Sequence, residues 1–157
     1  PPRSTLFPYT TLFRSINCKH KCFDCCISNL SFLPIEIDYI INKLSNDEKN
    51  LISNKIKEKS DNYCVLLKEG SCLIYNYRPI ICRTQGYPMI FSSEFFQEKS
   101  ITFCDLNFKD TDKIDGDHLI DLDRINYILS ALNIEYLKKT NQFDKLKDKR
   151  IELKDLL

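Results

Sequence analysis

Four cysteines fall within nine residues at Cys18–Cys26, in the order Cys-Lys-His-Lys-Cys-Phe-Asp-Cys-Cys. A core is built from bulk at a regular helical or strand period, so thiols at this density are not packing residues; they are cross-linked, metallated or reactive. The chain holds four further cysteines, Cys64, Cys72, Cys82 and Cys104, and no others. The expectation is that all eight serve one composite metal or iron–sulfur site.

A metal ion needs its thiolates within about 2.3 Å of one point. The run Cys18-x3-Cys22-x2-Cys25-Cys26 can bring them there through a tight turn. Neighbouring side chains of extended backbone point to opposite faces. Cys25 and Cys26 therefore either serve two metal or cluster atoms, or leave one thiol free to react. His20, between Lys19 and Lys21, is either a nitrogen ligand or a solvated side chain.

Eight cysteines in 157 residues lie below the roughly 8–10% of a disulfide scaffold, and a chain of this length buries one core without staples. Clustered thiols then point to the cytoplasm, a reducing compartment, and to metal or redox chemistry. The competing reading is a disulfide-bonded exported protein. Lys and Arg number 23 against 22 Asp and Glu, which gives no global attraction to nucleic acid or anionic membrane. No apolar run reaches the roughly 18–20 residues that span a bilayer. The expected partners are a metal ion or cluster and a protein, with no nucleic acid and no membrane.

Pro1–Ser15 stands apart, with no cysteine, acid or lysine. It reads like a translated sequencing adapter and is set aside from the fold; on that reading the natural start, and any leader with it, is lost. Residues 16–110 then form the cysteine-cluster domain, and residues 111–157 form helices packed on or next to it.

Ile35, Tyr39, Ile40 and Leu44 recur at helical steps. Ser45 and Glu48 form a capping box for a second helix to Lys59, with Leu51, Ile52 and Ile56 inward. Tyr63–Ile74 reads as a hairpin around Lys-Glu-Gly that sets Cys64 opposite Cys72. Pro79 breaks the chain before Cys82 and pushes Arg78 towards extended backbone. Arg78 and Arg83 flank Cys82, where they either lower its thiol pKa and offset a thiolate-rich centre or pair with surface carboxylates. Gly86-Tyr87-Pro88 reads as a turn before a strand at Met89–Phe91, and Phe95 and Phe96 as core. Asp110–Asp117 fails the EF-hand spacing and reads as an acidic turn. Leu119 to Thr140 is helical, with Leu122, Ile125, Ile128, Leu129, Leu132, Tyr136 and Leu137 on one face. A last amphipathic helix carries Phe143, Leu146, Ile151 and Leu153.

Cys18-x3-Cys22-x2-Cys25-Cys26, followed by Cys64-x7-Cys72-x-Ile-Tyr-x2-Arg78-Pro79-x2-Cys82-Arg83 and a late Cys104, resembles the YkgJ-type cysteine-cluster family. The resemblance covers Cys18–Cys104 and implies zinc or iron chelation by all eight cysteines; Arg78 and Arg83, from their place around Cys82, are the candidate residues beside the bound group. It departs at Phe23, where similar proteins carry glycine. The cysteine segment also looks like that of flagellin lysine methylases, which implies an iron–sulfur-dependent enzyme as the alternative function. The expected fold is a small α+β domain, helix-dominated, with a short hairpin and irregular loops around the cysteines.

Overall fold

A computed structural model describes residues 16–19, 21–27, 30–57, 63–92, 98–109 and 114–155. Pro1–Ser15, His20, Phe95, Phe96 and Asp110 lie outside these residues. The described residues of Pro1–His20 and Thr84–Ile125 form one compact unit, and those of Lys21–Arg83 and Asn126–Leu157 form a second. The elements are those of a small α+β fold with short hairpins and irregular loops.

The second unit is built on two helices, α1 (Pro34–Lys43) and α2 (Asn46–Lys57). Pro34 suits the first turn of α1, where an amide would have no partner. The Glu36 carboxylate accepts from the Leu33 amide at 3.2 Å, closing that end. Its other oxygen accepts from the Ile80 amide at 3.2 Å. Ser45 and Glu48 form the expected capping box: Glu48 Oε2 accepts from the Ser45 amide and hydroxyl, each at 2.8 Å, and Ser45 Oγ accepts from the Glu48 amide at 3.3 Å. The buried stripe of α1 is Ile37 and Ile40, continued at Leu44, while Tyr39 is exposed. The expected stripe is thus rotated, because Glu36 is turned towards Ile80 and Asp38 towards the Tyr136 hydroxyl. Along α2 only Ile52 is fully buried, and Leu51 and Ile56 are half-buried.

The core of this unit gathers Phe32, Ile37, Ile40, Leu44, Ile52, Leu66, Ile74 and Leu153, with Cys64, Cys72 and Cys82 packed against it. Strand β1 (Ser31–Phe32) pairs antiparallel with a strand near the carboxyl end, Ile151–Glu152, with Phe32 opposite Ile151. Strands β2 (Leu67–Lys68) and β3 (Ser71–Cys72) make the hairpin. Glu69 and Gly70, with φ of 51° and 76°, form a two-residue turn with both central residues left-handed, the geometry that matches strand twist. That turn sets Leu67, not Cys64, opposite Cys72. Cys64 instead closes a separate turn, its carbonyl accepting from the Leu67 amide at 2.9 Å. Arg78 is extended (φ −53°, ψ 139°), as Pro79 requires, and α3 (Ile80–Thr84) follows.

The first unit holds a three-stranded sheet. Its central strand β4 (Met89–Ser92) pairs antiparallel with β5 (Lys99–Thr102) and parallel with β6 (Ile120–Asp121). Gly86, with φ 91°, turns the chain ahead of β4. The visible part of the acidic run behaves as a turn: Asp115 accepts from the Asp117 amide at 3.4 Å and caps a 3-10 turn at Gly116–His118.

Helix α4 (Leu122–Lys139) occupies the expected stretch, but its buried residues are Asn133 and Leu137, and Ile128 and Leu132 are about half exposed. Asn133 Oδ1 accepts from the Ile35 amide at 3.1 Å. The last amphipathic helix is also corrected. Phe143–Leu146 forms a single-turn α5, after which Ile151 belongs to β7 (Ile151–Glu152) and Leu153 to the core. A helical apolar period there is shared between a short helix and a strand.

Candidate metal centre

Backbone hydrogen bonds assemble the thiols of the second unit. Cys26 ends a turn in which its amide donates to the Phe23 carbonyl at 2.8 Å. Ile27 bridges antiparallel to Tyr63, and the Cys64 amide donates to the Cys26 carbonyl at 2.9 Å. Phe23 meets Tyr63 edge to face, with ring centroids 5.5 Å apart. Phe23 is not among the residues with positive φ, whereas Lys21, at φ 65°, is. The backbone at position 23 therefore has no need of glycine. Cys72 lies on β3, and Cys82 lies within α3.

Cys25 and Cys26 occupy a turn rather than extended backbone, and their side chains meet. The Cys25 thiol donates to Cys26, which drives the Cys25 pKa up and the Cys26 pKa down. Negative charge on Cys64, Cys72 and Cys82 opposes the charge on Cys26. Burial pushes Cys64 and Cys72 up from their ordinary value. Cys82 is pushed up to about 12, first by burial and then by Cys64 and Cys72. These mutual effects are those of thiols sharing one neighbourhood, since Coulomb interaction decays with distance and with exposure to water. Among the described residues, no three His, Cys, Asp or Glu side chains already stand in a group that could hold a metal ion.

The two arginines differ. The Arg78 guanidinium lies 3.8 Å from the centroid of the Tyr75 ring. It donates to the Tyr75 carbonyl at 3.1 Å and to the Cys82 carbonyl at 3.5 Å. Its charge draws the Cys25, Cys72 and Cys82 thiols back down. Arg83 donates to the Arg78 carbonyl at 2.7 Å and the Asn76 carbonyl at 2.8 Å, which braces the loop. Both guanidinium groups thus bond to backbone carbonyls where surface carboxylates were the alternative.

Cys18 and Cys104 belong to the first unit. A Cβ placed on Gly86 would lie 3.3 Å from Cys18 Sγ and 3.9 Å from Cys104 Cβ, so both cysteines flank this glycine. Asn107, 1% exposed, lies between them and the turn. Its Nδ2 donates to the Gly86 carbonyl at 2.7 Å, and its Oδ1 accepts from the Asn17 amide at 2.7 Å. Its own amide donates to the Cys104 carbonyl at 2.8 Å. Cys22 is half-buried within the second unit, and all eight cysteines carry free thiols.

Thiols are soft donors, which suit zinc and iron and disfavour magnesium or calcium. Sequence reasoning missed Asn107, Gly86 and Glu36. Asn107 carried a weak signal, since Cys104-x2-Asn107 is the spacing of a turn; Gly86 read only as a turn residue, and Glu36 stood out by no motif.

The elements define a small α+β domain with short hairpins and irregular loops that carries eight cysteines. The chain matches the CxxCxxCC family, described as a proposed zinc- or iron-chelating domain, over residues 17–105. The match covers more than half of the sequence, and the chain belongs to this family. The YkgJ-type resemblance agrees with that membership. The family's name spells two residues between its first two cysteines, where this chain has three between Cys18 and Cys22; the left-handed Lys21 falls in that longer gap. No curated protein and no solved structure matches the chain. No helix among the described residues is long and apolar enough to cross a membrane.

Proposed function

We propose that this protein is a chelating module that binds zinc or iron through its eight cysteines, with Cys26, Cys64, Cys72 and Cys82 as its innermost four-thiolate set. The observation that carries the reading is the packing of Cys64, Cys72 and Cys82 against one core, with Cys26 tied to Cys64 by a 2.9 Å backbone hydrogen bond. The mutual influence of these thiols on Cys26 agrees with it. Four thiolates satisfy a closed zinc site or one iron–sulfur cluster. Before metal binds, the Cys25 thiol donates to Cys26 and favours the Cys26 thiolate; Cys25 gives up that proton when it becomes a ligand in its turn. Arg78 offsets part of the negative charge of the set. Free thiolate ligands persist in a reducing compartment, so a cytoplasmic site of action fits this reading.

The iron–sulfur form is the finer reading, because eight cysteines suffice for two sets of four. The test is metal analysis and absorption spectroscopy of the full chain purified without oxygen. Brown protein with iron and acid-labile sulfide selects a cluster, and colourless protein with stoichiometric zinc selects a closed chelate. Protein that holds no metal under either condition refutes chelation.

A further inference from the structure

We infer that Asn107 is a positioning residue for the Cys18 thiolate, one that holds it by an N–H···S hydrogen bond in the metal-bound state. The inference rests on the chelation reading above and concerns a residue outside its donor set.

Asn107 is one of two buried polar residues among those described, at 1% exposure. A buried carboxamide is tolerated where its donors and acceptors are satisfied. Nδ2 carries two hydrogens. One goes to the Gly86 carbonyl at 2.7 Å, and Cys18 Sγ lies 3.7 Å from the same nitrogen. Oδ1 accepts from the Asn17 amide at 2.7 Å and lies 3.9 Å from Cys18 Sγ. The carboxamide therefore faces sulfur with both of its ends. A protonated thiol donates to Oδ1. When Cys18 binds a metal, its proton leaves to solvent and the former S–H electron pair holds the ion. A sulfur without a proton cannot donate, so the Oδ1 contact is lost and the Nδ2–H contact remains.

The surroundings fix the carboxamide in this orientation. The Asn17 amide requires an acceptor and the Gly86 carbonyl a donor, which settles which end is oxygen. Asn17 Nδ2 donates to the Leu106 carbonyl at 3.0 Å, tying the residue before Cys18 to the residue before Asn107. Gly86 leaves the space: a Cβ there would sit 3.2 Å from Asn107 Nδ2 and 3.3 Å from Cys18 Sγ. Groups that orient a ligand from behind shift metal affinity by roughly 10–100-fold when removed.

The test uses the full chain, freed of metal and titrated with cobalt(II), as wild type, Asn107→Asp, Cys18→Ala and the double variant. Asp keeps the shape and the acceptor for Asn17 but removes the donor to sulfur, together with the donor to the Gly86 carbonyl, a loss that both cysteine backgrounds share. The expected result is cobalt affinity at least about tenfold lower for Asn107→Asp, with a shifted sulfur-to-cobalt charge-transfer band. In the Cys18→Ala background the same substitution should have no further effect, the signature of a coupled pair. An equal loss in both backgrounds, or none in either, overturns the inference and leaves chelation standing. Should Asn107→Asp fail to fold, wild-type protein loaded with a spin-half cadmium isotope decides the matter. Magnetisation transfer from cadmium to the Asn107 carboxamide protons supports the hydrogen bond, and its absence overturns it. Wild-type protein that takes up neither cobalt nor cadmium overturns the chelation reading, and this inference with it.

Discussion

Gly86→Ala separates backbone strain from side-chain crowding at Cys18, because two other glycines serve as controls. Gly86 has φ 91°, a region that costs an L-residue about 1–2 kcal/mol. The new Cβ would also meet Asn107 Nδ2 at 3.2 Å and Cys18 Sγ at 3.3 Å. Asn107 cannot retreat freely, since both ends of its carboxamide are held by 2.7 Å hydrogen bonds. Lengthening one of them forfeits about 1 kcal/mol, so the total comes to about 2–3 kcal/mol. Gly70, with φ 76°, has its nearest neighbour at 3.4 Å, in ordinary contact, and Gly70→Ala should lose only the backbone share, about 1–2 kcal/mol. Gly116 has open space and no positive φ, so Gly116→Ala should be neutral or stabilise by about 0.4–1 kcal/mol. Urea unfolding of the three variants with unchanged m-values gives the order. Equal loss in Gly86→Ala and Gly70→Ala would refute the crowding at Asn107, and no loss in either would refute the whole argument.

Cys82→Ser removes a thiol from the innermost set and should abolish stoichiometric metal and lower the melting temperature, because site formation and folding are coupled; unchanged metal content and melting temperature would exclude Cys82 as a ligand. Glu36→Ala leaves the Leu33 and Ile80 amides without their acceptor and should cost about 1–2 kcal/mol in urea unfolding, with no loss expected if water replaces the carboxylate. The metal-free protein should weaken in alkali. Burial keeps Cys82 protonated up to about 12 from an ordinary 9.0, so above pH 9 the unfolded chain sheds a proton that the folded one retains. That share of stability is complete below pH 9 and is lost as pH rises towards about 12; identical urea midpoints at about pH 7 and about pH 10 would contradict it. Arg78→Ala should move the pH midpoint of metal uptake upward, since Arg78 eases deprotonation of Cys72 and Cys82. Arg83→Ala should leave that midpoint in place, and an equal shift in both would remove the distinction between them.

Local rules carried most of what the sequence revealed. Ser45 and Glu48 cap α2 because a capping box needs only four consecutive residues, and Pro79 stops the chain before α3 because its ring acts on its immediate neighbour. What failed depends on partners distant in the chain. Tyr39 looked inward by period, yet Ile37 is buried, a choice that follows from Glu36 reaching Ile80 and Asp38 reaching Tyr136. Ile151 and Leu153 followed a helical period, but a strand at Ser31–Phe32 claims Ile151. Cys25 and Cys26 were assigned opposite directions by strand geometry, and a turn joins their thiols instead. The cysteines themselves stood out at once, since nothing in packing explains them. Asn107 did not, because a buried amide acquires meaning only from the three segments it ties together.

The pairing of β1 with β7 bears on how such a chain emerges from the ribosome. Cys26, Cys64, Cys72 and Cys82 all precede α4 in the sequence, whereas Ile151 and Leu153, which complete the core around Phe32, follow it and are made later. During synthesis the four thiols are therefore exposed to the cell's metal and oxidants before the strand that closes the core exists. A fragment ending with the matched family segment at residue 105 would remain permanently in that unfinished condition, with the thiols present and Phe32 lacking its cover. On the chelation proposal, a metal taken up by these thiols would act as an early staple, holding the cysteine loops until β7 is made.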